Sequence, residues 1–465
     1  MGDFATIAVW SGATAHELVL FAAVLFLIGG IDDLLVDLVW IANTLWRRLI
    51  IYSSRPRTDL TSLAPPRQPG WLAVFIPAWR EDAVIGQMLS TALDRFDHPA
   101  YRLYVGVYIN DPATIDAVAS VAARDDRVRR VVNRRPGPTT KADCLNAIWR
   151  TLGNDELASG ARAKAIILHD AEDVVHSGEL RIFDTLIERF DLVQLPVLPL
   201  VDKGSRWISG HYCDEFAEAH GKSVVAREAL GAAVPSAGVG CAFSREALER
   251  IAGTKGGLPF DSDSLTEDYE LGLRIAEQGG SGVFVRLPAT PGGKPVAVRA
   301  HFPSRLSDAV HQKSRWMTGI ALAGWDRLGW RGGPGEFWMR LRDRRALIAV
   351  IALAAAYAGL VLTVSAFVLQ GLAGVSGSPP SRFMALLLAI NAVLLVWRLA
   401  VRAFFVTRAY GVGEGLRSIP RVFVANIVEM MAARAAIARY LKMRRGGAIE
   451  WGKTAHVFPE MAPAE

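Results

Sequence analysis

Ala165-Ile166-Ile167-Leu168-His169-Asp170-Ala171-Glu172-Asp173 is the stretch on which the reading of the fold turns. Four apolar residues in a row, two of them β-branched, read as a fully buried strand, and the acidic run after them ends it. The same arrangement occurs twice upstream. Trp71 to Ile76 runs into Pro77, Ala78, Trp79, Arg80 and Glu81, and Arg102 to Ile109 runs into Asn110, Asp111 and Pro112. Val128 to Val132 and Leu192 to Leu195 supply two more strand candidates, with helical periodicity in most of the intervals. Strands alternating with helices predict an α/β domain built on a mainly parallel, doubly wound sheet. In such sheets ligands bind beyond the carboxyl ends of the strands. A GxGxxG after a strand and a phosphate-binding GxxxxGK are both absent, so neither a dinucleotide site nor a P-loop is expected.

An acidic residue after a strand is ordinarily a helix N-cap or a turn former. Here three strands end that way, the last packing Asp170, Glu172 and Asp173 into four residues. Like charges so close repel unless a cation or hydrogen-bond donors offset them. Hard oxygen ligands suit Mg²⁺ or Mn²⁺.

Outside this region the character of the chain changes. The full sequence of 465 residues is 51% hydrophobic, more than a purely soluble protein of this length needs. Leu18 to Trp46, Ala346 to Val375 and Met384 to Phe405 are each long enough to cross ~30 Å of hydrocarbon. The first lacks a basic leader and a small-residue cleavage site and runs directly into Arg47 and Arg48, so it reads as a retained span with its C-terminal end in the cytosol. Arg340, Arg342, Arg344 and Arg345 flank the second span, and Arg444 and Arg445 follow near the end. That placement accounts for the net charge of +6 by the positive-inside rule, and no nucleic-acid partner is expected. Cys144, Cys213 and Cys241 form neither a disulfide framework nor a zinc pattern, which fits a reducing cytosol.

The expected organisation is therefore a membrane helix over 1–50, a proline-rich polar linker over 51–70, a cytosolic α/β domain over 71–330 and two membrane helices over 331–412. A short outer loop, Ser376 to Arg382, would join those two. Residues 413–465 would hold an interfacial helix and a cytosolic tail, because Glu429, Arg434 and Arg439 interrupt the apolar pattern of Arg421 to Leu441. Asp32, Asp33 and Asp37 are costly in lipid. Asp33 and Asp37 share a helical face, as do Arg398 and Arg402, so the two pairs could neutralise one another; alternatively the first helix surfaces near Gly29 and Gly30.

The ordered motifs between Phe75 and Trp316 resemble the family 2 glycosyltransferases of the GT-A fold. That resemblance implies that Pro77, Glu81 and Asp111 line the uracil and ribose of a UDP-sugar. Lys141, in Thr139-Thr140-Lys141-Ala142-Asp143, would face the diphosphate; alone it would read as a solvated lysine at a helix start. Asp170-Ala171-Glu172 stands where the family has its metal-binding DxD, with glutamate in second place, and leaves open whether Glu172 or Asp173 joins Asp170 on Mg²⁺ or Mn²⁺. Thr266-Glu267-Asp268 resembles the "TED" motif, making Asp268, with Glu267 beside it, the general base; without the other motifs it would read as a helix cap. Gln312-Lys313-Ser314-Arg315-Trp316 matches QxxRW, frequent in cellulose, chitin and hyaluronan synthases, with Gln312 and Arg315 toward diphosphate or acceptor and Trp316 toward a sugar face. Ser236 to Phe243 resembles the acceptor-side loop of such enzymes, or an ordinary turn before a strand.

His169 to His176 and the tail Trp451 to Pro459 resemble a narrower subgroup, the inner-membrane glycosyltransferases of the bacteriophage N4 receptor system. The resemblance implies an exported amino-sugar polymer made from a UDP-N-acetylhexosamine, a bacterial inner-membrane location, and an outer-membrane export partner. Members often continue into a cyclic di-GMP-sensing domain; here the sequence stops at Glu465, and although Arg417 to Arg421 matches RxxxR, no β-barrel pattern follows, so sensing would fall to a separate protein. The competing readings are a non-processive transferase acting on a lipid carrier, and a catalytically silent membrane scaffold or phage-receptor component.

Overall fold

The computed structural model describes residues 2–374, 379–447 and 457–459. Most of the expected outer loop and most of the tail motif lie outside the described residues. Seven strands form one sheet: β1 (Leu72–Pro77), β2 (Tyr101–Tyr108), β3 (Val128–Asn133), β4 (Ala165–Leu168), β5 (Leu192–Gln194), β6 (Cys241–Ser244) and β7 (Gly282–Phe284). Their order is β3-β2-β1-β4-β6-β5-β7, and only β6 runs antiparallel to its neighbours. The five expected strands are present within a residue or so of their expected ends; β6 and β7 are additions.

β1 is central, and all six of its residues are buried, because helices cover both faces of the sheet. Val74 and Ile76 pack on one side with Leu103, Ile167 and Phe183, while Ala73 and Phe75 pack on the other with Tyr104, Leu145 and Phe243. Phe458, from the described part of the tail, joins the first of these clusters. Val74 is in parallel register with Leu103 on β2 and Ile167 on β4, so the three acidic strand ends emerge on the same edge.

Among the described residues, three helices are long and apolar enough to cross a membrane: Thr6–Ser54, Ala346–Ala373 and Arg382–Tyr410. The first continues beyond position 50 through a π-helical turn, Arg47–Ile51, to Ser54. It stops where Arg55 becomes extended (φ −134°, ψ 123°), as Pro56 requires of the residue before it.

The charges in these helices find partners, though not all of the expected ones. Asp33 pairs with Arg398 at 2.5 Å, and also with Arg342 at 2.9 Å and Arg345 at 2.6 Å. Asp32 pairs with the same two arginines at the helix Pro334–Arg344 and its end. Asp37 does not meet Arg402. It pairs with Lys222 at 2.6 Å and accepts from Trp397 Nε1 at 2.8 Å, while Arg402 donates to Glu218 at 3.1 Å. Lys222 and Glu218 both belong to the sheet-bearing region, and helix-face spacing cannot reveal a partner on another element.

The C-terminal helix, Val412–Arg444, is a single element that passes through Pro420. Its small inner face, Ser418, Ala432, Ala433 and Ala436, lets it lie close against the domain, while Leu416, Phe423, Ile427, Met431 and Leu441 face outward. Arg417 pairs with Glu414 at 2.7 Å, and Arg421, fully buried, pairs with Glu414 at 2.7 Å and Asp214 at 3.3 Å. The RxxxR pair is thus spent on internal ion pairs.

Replacing Asp33 by alanine should leave Arg398 without its carboxylate and Arg342 and Arg345 with Asp32 alone between them. We expect a loss of about 3 kcal/mol, near the lower end for breaking a buried pair. Arg417→Ala, which removes an exposed partner, should cost under about 1 kcal/mol. Thermal unfolding of both variants in detergent checks the difference.

Candidate active site

At the end of β1 the chain turns sharply. Arg80 adopts φ 54°, a left-handed conformation uncommon for a residue with a side chain, and its backbone N–H donates to Asp111 Oδ2 at 2.6 Å. Asp111 also N-caps the helix Pro112–Ala122, and Glu81 N–H donates to Thr114 Oγ1 at 3.0 Å in that helix. The turns after β1 and β2 are thereby stitched together, which sets Pro77, Glu81 and Asp111 in one corner. Asn110 closes it by exchanging hydrogen bonds with the Gly137 backbone at 2.7 and 2.8 Å.

At the end of β4 the three acids separate by role. Asp173 is buried, accepts from the Asp170 backbone N–H at 3.0 Å and lies 2.9 Å from His169 Nδ1. His169 is itself fully buried, with Glu179 on its other nitrogen at 2.8 Å. Burial alone would lower the His169 imidazole; the carboxylates of Glu179 and Asp173 instead hold it up at about 10. Asp173 therefore shapes the turn from inside, while Asp170 and Glu172 remain partly exposed on its outer side.

Lys141 opens the helix Lys141–Ser159, whose first turn is fixed by a reciprocal capping box between Thr140 and Asp143. Its Nζ lies 2.5 Å from Asp170 Oδ1. Burial would depress the ammonium, but Asp170, Glu267 and Asp268 around it raise it well above the ordinary lysine value. The carboxylates feel the same surroundings. Burial and the neighbouring Asp268 push Glu267 up to about 7, with Lys141 opposing, and burial raises Asp268 against Lys141 and Arg315.

Asp268 sits in the first turn of the helix Glu267–Glu277. Thr266 occupies the N-cap position but makes no side-chain cap, and its Oγ1 is buried without a partner among the described residues, so capping does not explain this motif. Tyr269 OH donates to Asp343 at 2.6 Å, and Ser264 and Arg327 both donate to Glu270 Oε1 at 2.6 Å; these bonds hold the helix in place. Gly238, at φ 76°, lies directly against the Asp268 carboxylate, where a Cβ would overlap it. The Ser236 to Phe243 segment is therefore both a wall of this site and the approach to β6.

The motif Gln312 to Trp316 ends the helix Leu306–Trp316, which continues as a π-helical turn, Met317–Ala323. Arg315 donates to the Leu265 carbonyl at 3.4 Å, beside Glu267 and Asp268. Trp316 forms part of an aromatic cluster with Tyr212, Phe216 and Phe302. Lys313, which the motif treats as a variable position, is buried and binds Glu215 on the helix Ile208–Glu218 and Glu429 on the C-terminal helix, the latter at 3.0 Å. Sequence spacing gave no sign of it.

Lys141, Asp170, Glu267, Asp268 and Arg315 thus face one space at the carboxyl edge of the sheet, with Pro77, Glu81 and Asp111 in the adjoining corner. The donor set fits a hard divalent cation. Asp170 and Glu172 are two oxygen donors on one turn, and among the described residues no group of three His, Cys, Asp or Glu forms a protein-only cage. Mg²⁺-type sites usually take one or two carboxylates, with water and substrate phosphate supplying the rest.

Residues 69–319, just over half of the chain, match the family described as "Glycosyltransferase like family 2". Bacteriophage adsorption protein B of Escherichia coli K12 is 37% identical over 462 residues, covering 94% of this chain and 62% of the relative. Bacteriophage N4 adsorption protein B of Escherichia coli O157:H7 gives the same figures. The chain spans about three fifths of the length of these relatives. Among solved structures, the mannosyltransferase PcManGT from Pyrobaculum calidifontis, in complex with GDP-Man and Mn²⁺, aligns over 93% of this chain and 99% of its own, with a TM-score of 0.53 and 18% identity, a likeness of fold. With the acids and the basic residues of each motif converging on one edge of a GT-A sheet, and with the family match covering that region, the chain belongs to glycosyltransferase family 2.

Proposed function

We propose that this protein transfers a sugar, an N-acetylhexosamine, from a UDP-sugar to a growing polysaccharide at the cytosolic face of a bacterial inner membrane, with inversion at the anomeric carbon. The single observation that carries the reading is the convergence of Lys141, Asp170, Asp268 and Arg315 on one space, beside a QxxRW helix that packs against the C-terminal helix through Lys313 and Glu429. Pro77, Glu81 and Asp111 would hold the nucleoside. Asp268 would take the proton from the acceptor hydroxyl as that oxygen attacks, and its raised affinity for protons suits a base working near neutral pH. Lys141 would exchange Asp170 for the diphosphate and, with Arg315, stabilise the charge on the departing group. No covalent nucleophile is needed. Asp170 and Glu172 would hold Mg²⁺ or Mn²⁺, which when bound supplies further positive charge to the diphosphate.

The three apolar helices and the outward apolar stripe of the C-terminal helix support a membrane-embedded enzyme whose product leaves across the bilayer, with an export partner beyond it. The names of the relatives concern phage adsorption, which is consistent with a surface-displayed product. The intact set of charged residues argues against a silent scaffold.

Membranes containing the protein, supplied with a divalent ion and a panel of UDP-sugars plus GDP-mannose, should release nucleotide diphosphate and build long chains with one UDP-N-acetylhexosamine. A single lipid-linked sugar would instead favour the non-processive reading. Asp268→Asn should lower the rate by ~10² to 10⁴-fold, the range of a lost general base; wild-type release no faster than this variant would sink the assignment. In the pH profile of kcat/KM, the rate should fall as pH drops through about 7, where the buried Glu267 takes up a proton beside Asp268, whose own hold on a proton burial strengthens. Gly238→Ala and Gly231→Ala both place a Cβ on a left-handed residue, but only the former meets Asp268. The first should lose at least tenfold in kcat, and the second should retain most activity.

A further inference from the structure

The helix that ends at Trp316 runs on without a break into the π-helical turn Met317–Ala323. Such turns widen a helix locally and are frequent at functional sites. The two faces of this one meet different parts of the molecule. Met317 and Ala321 pack with Ala433 and Ala436 of the C-terminal helix and with Leu347 and Val350 of the second apolar helix, Ala346–Ala373. Ile320 packs on the other side, against Tyr269 and Leu273 of the helix Glu267–Glu277. Thr318 fastens the turn from within, its Oγ1 donating to the Ser314 carbonyl at 2.6 Å and reaching the Ala436 carbonyl at 3.4 Å.

Gly319 lies in this turn with a φ that is not positive, so no backbone conformation demands glycine there, and glycine within a helix is destabilising relative to alanine. Space is the reason for it. A Cβ on Gly319 would overlap Thr266 Oγ1 and stand 2.7 Å from Thr266 Cγ2 and 3.0 Å from Thr266 Cβ. The Thr266 side chain is therefore laid against the bare backbone of the π-helical turn. That contact explains why Thr266 does not cap the helix behind it and why its Oγ1 is buried without a partner among the described residues. The turn cannot retreat from Thr266, because the C-terminal helix and the second apolar helix pack against its opposite face. One turn earlier, Arg315 holds the same stretch by donating to the Leu265 carbonyl at 3.4 Å. A methyl group at position 319 must then displace Thr266 and, two residues on, Asp268. A misplacement of about 1 Å at a reacting group can cost ~10²-fold in rate.

We propose that Gly319 is a positioning residue for the glycosyl transfer: by giving Thr266 a flat surface to rest on, it fixes where the Asp268 carboxylate stands. Gly319 itself touches no substrate and acts only through Thr266. The proposal deepens the transferase reading above and rests on Asp268 being the general base.

The test measures kcat and KM of the full chain in membranes, with Mn²⁺ and the UDP-sugar that turns over, for Gly319→Ala, Thr266→Ala, the double variant and Gly324→Ala. Calorimetric binding of UDP with Mn²⁺ in detergent accompanies each. Gly319→Ala should lose at least tenfold in kcat while KM for the UDP-sugar and the affinity for UDP stay within threefold of wild type. Thr266→Ala removes an unpartnered hydroxyl and should stay within threefold in kcat. In that background Gly319→Ala should recover most of the lost kcat, because Oγ1 and Cγ2 are gone. Gly324→Ala adds a Cβ to the same segment with its nearest neighbour at 3.5 Å, an ordinary contact, and should match wild type. A Gly319→Ala protein with wild-type kcat would overturn the proposal, and so would a loss that persists undiminished in the double variant. Asp268→Asn is measured beside them. If it turns over like wild type, the base assignment falls and the proposal with it; if it loses activity while Gly319→Ala keeps it, only the positioning role falls.

Discussion

Everything in the catalytic domain is arranged around an electrostatic problem: several carboxylates share a small, largely dry space, and one lysine stands among them. Asp170, Glu267 and Asp268 would repel one another if they faced an empty low-dielectric cleft. Lys141, at 2.5 Å from Asp170, offsets that repulsion. The compensation is partial, since Glu267 and Asp268 still hold protons more tightly than ordinary acids. A nucleotide diphosphate with its cation would bring the missing balance of charge.

The surrounding structure serves that cluster by fixing its members from behind. Asp173, His169 and Glu179 form a buried chain that holds the turn after β4, and Asp343 and Arg227 steady the helix Glu267–Glu277 through Tyr269. Gly238 gives the Asp268 carboxylate room that any side chain would take away. None of these residues needs to touch a substrate. Each restricts where a reacting group can be, which is where much of the catalytic advantage of an enzyme resides.

The helix Ile208–Glu218 performs the corresponding task between the domain and the membrane-facing helices. Its Asp214, Glu215 and Glu218 bind Arg421, Lys313 and Arg402, three cations from three different helices. The QxxRW helix, the third apolar helix and the C-terminal helix are therefore referenced to one acidic strip. A movement of the membrane-facing part would be felt at Arg315, because Lys313 is two residues away.

The sequence by itself determined the alternating α/β pattern, the three long apolar helices and the order of the motifs, because these depend on local periodicity and on residue types that burial or chemistry demands. β1 through β5 were legible as runs of apolar and β-branched residues. β6 and β7 were not: Cys241–Ser244 and Gly282–Phe284 each follow a glycine-rich stretch that reads as a turn, and each is completed by hydrogen bonds offered by β5. Tertiary structure also decided which acid does what. Nothing in Asp170-Ala171-Glu172-Asp173 reveals that Asp173 turns inward to His169, since the direction of a side chain in a turn is set by what packs behind it. In the same way Asp37 and Arg402, well spaced to pair, were drawn apart by Lys222 and Glu218, because an ion pair forms with the charge that the fold brings nearest.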